Sequence, residues 1–146
     1  MEWSTFKESS KDYPEVIVEK AIAGFANATN NLAELAITPK SDFAILTSKL
    51  MSKFQFDLEL FSKHLEGYSF KVLELGYDIE LFPVKLAIET SIIAELNKTY
   101  GGYAKIVGID TEENFKNVLE LIFKTERFTE IVAGLMKIAR KNEDTF

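Results

Sequence analysis

Apolar residues recur every three to four positions along most of this chain, in long runs punctuated by 3 prolines and 7 glycines. That spacing is the feature that most limits what the chain can build, because it places apolar side chains along one face of a helix. Ile17, Ala21, Phe25, Ala28, Leu32 and Leu35 follow such a face. Asp12 and Glu15 stand ahead of them at capping-box spacing, with Pro14 suited to a first helical turn. Thr38-Pro39 closes this run and can open the next. There Phe43, Leu46, Leu50, Phe54, Leu58, Phe61 and Leu65 make a stripe within Asp42–Glu66, ended by Gly67. Pro83 begins a third run, Val84, Ile88, Ile92, Leu96 and Tyr100, which stops at Gly101-Gly102.

Asp110-Thr111-Glu112-Glu113 opens a fourth helix with Phe115, Val118, Leu119, Ile122 and Phe123 inward. Phe128, Ile131, Val132, Leu135 and Met136 define a fifth. A tight turn is expected at Thr125-Glu126-Arg127, with one continuous helix over 111–141 as the alternative. Residues 69–82 admit a short helix or a strand. The short helix is expected, since Ala104–Ile109 is the sole other strand candidate and a lone pair of strands is weak. The expectation is an all-α, up-and-down antiparallel bundle of five to six helices, four or more of them long. It forms a single domain over 1–146, with 1–11 a loose N-terminal segment.

Composition then removes functions. The chain has 146 residues and no cysteine, so disulfides, thiolate metal sites and cysteine nucleophiles are excluded. The net charge is -6, which argues against nucleic acid as a partner. No apolar run approaches the roughly 18 residues of a membrane span, and the start at Met1-Glu2-Trp3 does not read as a secretory leader. A cytoplasmic protein without a membrane partner is expected.

A bundle invites di-metal carboxylate chemistry, which needs Glu-x-x-His on each of two helices. His64 is the single histidine, and Phe61 stands where the glutamate is required. No metal site and no cofactor are expected. The weak catalytic candidates are His64 as a base, and Asp57 and Glu95 as acids at the margins of apolar stripes. No serine or carboxylate stands three or four residues from His64. Tyr100-Gly101-Gly102-Tyr103 lacks the lysine and spacing of a phosphate loop.

The positive signal is an apolar excess, 47% of residues with 12 phenylalanines. Val18, Ile22 and Ala26 on the first run, and Phe56 and Leu60 on the second, fall off the main stripes. A helix apolar over more than half its circumference needs a second partner. These five residues are the expected interface of a homo-oligomer, a dimer first. The sequence thus favours a non-enzymatic protein acting by self-association or by binding a protein partner. The alternatives are an apolar ligand in an aromatic-lined pocket between helices and, behind that, a carboxylate–metal enzyme.

Overall fold

Strict alternation, not helical spacing, governs the middle of the chain. Phe54-Gln55-Phe56-Asp57-Leu58-Glu59-Leu60 places every second side chain on an apolar face, the period of a half-covered strand. The computed structural model, which describes residues 1–143, has β2 there, Phe54–Phe61. The other strands are β1 (Glu34–Pro39), β3 (Ser69–Tyr77), β4 (Val84–Ile88) and β5 (Val107–Ile109). They form one antiparallel sheet in the order β1-β2-β3-β4-β5, so each strand pairs with its neighbours in the chain. The helices are α1 (Pro14–Ile22), α2 (Phe25–Ala28), α3 (Asp42–Leu46), α4 (Thr90–Thr99), α5 (Glu112–Phe123) and α6 (Glu126–Glu143).

The all-α bundle is therefore corrected to a mixed α/β fold. Its helices α1, α4, α5 and α6 pack over one face of the sheet. The long second helix is replaced by α3 and β2. The first run splits into α1, α2 and β1, and the third into β4 and α4. Residues 69–77 are strand, because β2 and β4 supply the partners that a helical reading had removed. The physical reason is shared positions. Phe54 and Leu58 satisfy both periods, whereas Phe56 and Leu60 satisfy only the period of two.

The C-terminal half follows the sequence more closely. The turn at Thr125 separates α5 from α6. The Thr125 hydroxyl donates to the Ile122 carbonyl (2.8 Å) and accepts from the Phe128 N–H (3.2 Å), ending one helix and starting the next. Thr111 rather than Asp110 caps α5, accepting from the Asn114 N–H. The Asp12–Glu15 box does not form: Tyr13 is the N-cap of α1 without a side-chain bond, and the Tyr77 hydroxyl donates to Glu15. Ser41, not Thr38, caps α3.

The core lies between the sheet and its helices. Leu58, Leu60, Leu73, Leu75, Val84 and Leu86 meet Ile17, Val18, Ile92, Phe115, Leu119 and Ile122. Val18 and Leu60 are fully buried there, while Ile22, Ala26 and Phe56 are half-buried. Phe56 stacks on Tyr77 at 6.1 Å. The apolar excess at these interface candidates thus belongs in large part to the protein's own core, because a sheet hides apolar side chains that a bundle would have left outside. Among the described residues no helix is long and apolar enough to cross a membrane.

Candidate functional site

The sheet's second face is polar, and part of it is roofed. Thr38, Asp57, Glu59, Lys71, Glu74, Gly76, Lys85 and Ala87 alternate with the core residues along β1 to β4. Lys40 extends β1, its N–H donating to the Gln55 carbonyl at 2.9 Å. After β1 the chain crosses this face as α3 and the segment 47–53 before re-entering at β2. The crossing segment is tied down by three bonds: the Gln55 amide donates to the Ser52 carbonyl (2.8 Å), the Lys85 ammonium to the Leu50 carbonyl (3.4 Å), and the Lys53 N–H to Asp78 (2.9 Å). Gly76 makes the crossing possible, since Ser52 lies where a side chain at 76 would be.

Between roof and sheet is a pocket of about 450 Å³, within the usual size range for small-molecule sites. Lys40, Asp57, Lys71, Glu74 and Ala87 form its floor. Ala44, Thr47, Ser48, Lys49 and Leu50 come from the roof, and Ile88, Thr90, Lys105 and Ile106 close the far end.

A register shift builds the floor's charged cluster. Lys71 and Glu74 are three apart, and in a regular strand they would face opposite sides. The bulge at Val72 restores the alternation, so that Glu59 pairs with Lys71 and Asp57 with Glu74 on one face. Lys40 reaches them from β1. Its side chain is only 4% exposed; its ammonium donates to Glu74 Oε1 and lies 3.7 Å from Asp57 Oδ1. The Lys71 ammonium lies 3.6 Å from Asp57 Oδ2 and 3.8 Å from Glu74 Oε1.

Asp57 Oδ1 is buried and accepts no hydrogen bond from the described residues. Burial pushes the Asp57 carboxyl above the ordinary carboxylate range. Lys71 and Lys40 offset part of that push, while Glu74 and Glu59 add to it. Two carboxylates and two ammoniums, held from three strands in a shielded cluster, form a rigid polar floor suited to orienting a ligand.

The other two catalytic candidates stand elsewhere. Glu95, on α4, caps α6: its two carboxylate oxygens accept the N–H groups of Arg127 and Glu126, each at 2.8 Å. Its negative charge sits at the positive end of a helix and satisfies two donors that the helix cannot. His64 lies in the connection between β2 and β3. Its carbonyl accepts from the Asn142 amide at 2.8 Å, and its Nε2 is 3.5 Å from Glu143. It fastens the end of α6. The three candidates share no partner, and among the described residues no three His, Asp or Glu side chains gather in a metal-binding group.

The expected aromatic inter-helix region is largely self-filled. Phe128 packs against Phe25 at 6.1 Å and Phe123 at 5.3 Å. They border a shallow surface groove of about 320 Å³ that Ile22 also lines. Sequence reasoning placed Asp57 as a possible functional acid but missed Lys40, Lys71 and Glu74. The available signal was the alternation of charged with apolar residues across Asp57-Leu58-Glu59.

Comparison of the chain with protein-family models, with curated proteins and with solved structures finds no match. The fold and pocket therefore define the class: an antiparallel sheet covered by helices on one face and carrying a roofed, lysine-lined pocket on the other.

Proposed function

We propose that this protein is a non-enzymatic binding protein that holds a small molecule in the pocket on the open face of its sheet. The observation that carries this reading is the roof. α3 and residues 47–53 cross the open face and leave beneath them a concavity of about 450 Å³ with convergent polar groups and an apolar lining. A short chain crossing that served only to connect two adjacent antiparallel strands needs two to five residues. Here residues 40–53 make the connection.

A tryptophan at Ala87 tests the reading. Ala87 is half-buried and lines the floor, so an indole there occupies the pocket from a strand on the open side. In proton–nitrogen correlation spectra with a panel of small polar probes, shifts should gather on residues 44–50, 71–74 and 105–106. Ala87→Trp should abolish them while the far-ultraviolet spectrum is unchanged. Probe binding that survives Ala87→Trp, or shifts gathered elsewhere, removes the proposal.

A second reading, self-association, has its own support. Phe43 and Leu46 lie one turn apart on α3 and are 76% and 84% exposed, and Met51 just beyond is 85% exposed. In place of the core residues Val18 and Leu60, this patch is the surface for a homodimer. Light scattering at micromolar concentration should give the mass of two chains, reduced to one by Phe43→Glu with Leu46→Glu. A wild-type mass of one chain dismisses it.

A further inference from the structure

The pocket's charge runs opposite to that of the chain. The protein carries a net charge of -6, yet four lysines, 40, 49, 71 and 105, line one concavity with only two acids, Asp57 and Glu74. Outside the pocket, Lys20, Lys116 and Lys124 stand beside Asp12, Glu112 and Glu120. Within the pocket Lys40 is fully engaged, donating to Glu74 and flanking Asp57. Lys71 is different. Its two carboxylate neighbours are at 3.6 and 3.8 Å, beyond ordinary hydrogen-bond reach, so its protons remain available. Lys49 and Lys105 make no ion pair with the described residues. They come from the roof and from the segment before β5, two separate stretches of chain that the fold brings to one mouth.

Four lysines against two acids leave the lining two positive charges in excess, and an acidic protein has carboxylates to spare for neutralising them. A bound anion would supply the missing charge. Ammoniums are compact point charges that serve phosphate and carboxylate groups alike. The rest of the lining, Ala44, Leu50, Ala87 and Ile106, offers carbon rather than polar contact. Asp57 and Glu74 on the floor disfavour an anionic group placed deeply. The anionic groups therefore belong at the mouth, with a carbon skeleton lying along the apolar wall.

We propose that the pocket takes a small organic dianion, a phosphate monoester or a dicarboxylate, held by Lys49, Lys71 and Lys105. This inference rests on the pocket reading above and specifies its ligand. The probes are methyl phosphate, succinate and, as a neutral comparison, glycerol, each titrated into labelled full-length protein.

The expected result is saturable shifts on pocket amides with methyl phosphate or succinate and none with glycerol. Whichever of the two binds more tightly identifies the source of the charge. Affinity should fall as sodium chloride is raised, because solvent-exposed ammoniums are screened. Lys49→Glu with Lys105→Glu should weaken binding by at least about tenfold, since each reversal replaces an attractive charge near the dianion with a repulsive one. Lys98→Glu, on the surface of α4 and outside the pocket, should change it little. Glycerol binding in the pocket while neither anion binds overturns the dianion and leaves the pocket reading standing. Anion binding unaffected by the double reversal also overturns it. An absence of pocket shifts with all three probes overturns both.

Discussion

Replacing Lys40 with methionine should destabilise the fold by about 3 kcal/mol, the scale for removing one partner from a buried ion pair. Methionine keeps an unbranched stem and is apolar, so the expected loss comes from charge rather than from a cavity. The Lys40 side chain is 4% exposed and Asp57 is 17% exposed. Without the ammonium, Asp57 and Glu74 face each other across β2 and β3 with only Lys71, half in solvent, beside them. Like charges directly opposite in a sheet are unfavourable.

The deficit should depend on pH with a definite sign. Burial already holds Asp57 above its ordinary value of 3.8, and loss of Lys40 raises it further. A carboxyl whose folded pKa is raised favours the folded state below its unfolded pKa, and that stability is lost as pH rises through the folded pKa. The deficit of Lys40→Met should thus be small near pH 4, in the range of that ordinary value, and grow toward neutrality. Urea unfolding at both pH values, with the slope unchanged, measures it. A loss below about 1 kcal/mol at neutral pH would mean that the cluster is effectively solvated.

Gly76→Ala should cost about 2 kcal/mol, within the range for overpacking. A Cβ at 76 would stand 2.7 Å from Ser52 Oγ, 2.9 Å from Ser52 Cβ and 3.2 Å from Leu50 Cδ1. Ser52 cannot simply step aside, because Gln55, Lys85 and Asp78 pin the segment around it. The strain therefore passes into the roof, and amides of residues 47–50 should shift along with the loss of stability. Ser52→Gly in the same chain removes the two closest atoms. The double variant should recover most of the loss, and a double-mutant cycle measures that coupling. A cycle with no coupling would place the cost of Gly76→Ala elsewhere in β3.

The contrast between the two halves of the chain has a physical origin. In α5 and α6 the apolar residues Phe115, Leu119, Ile122, Phe128 and Leu135 obey only the helical period, and each is buried as that period requires. Thr125 marks the break because its hydroxyl can serve both helix ends. In β2, alternation and helical spacing overlap at Phe54 and Leu58, and a stripe drawn through the overlap conceals the strand. The expected bundle arose from that overlap, and the expected interface from treating Phe56 and Leu60 as a second helical face. Both residues are explained by a single strand whose neighbours are β1 and β3.

The site was legible only in fragments. Asp57 is visible as an acid beside apolar residues, but nothing local in the sequence pairs it with Lys40, 17 positions earlier, or with Glu74, 17 positions later. By itself the sequence determined the absence of thiol chemistry, the acidic surface, the two C-terminal helices and the stop at Gly101-Gly102, all of which depend on composition or on contacts within a few residues. Only the tertiary structure decided the sheet, the bulge at Val72 and the pocket. Strand pairing is set between distant segments, and the Val72 bulge alone brings Lys71 and Glu74 to the same face.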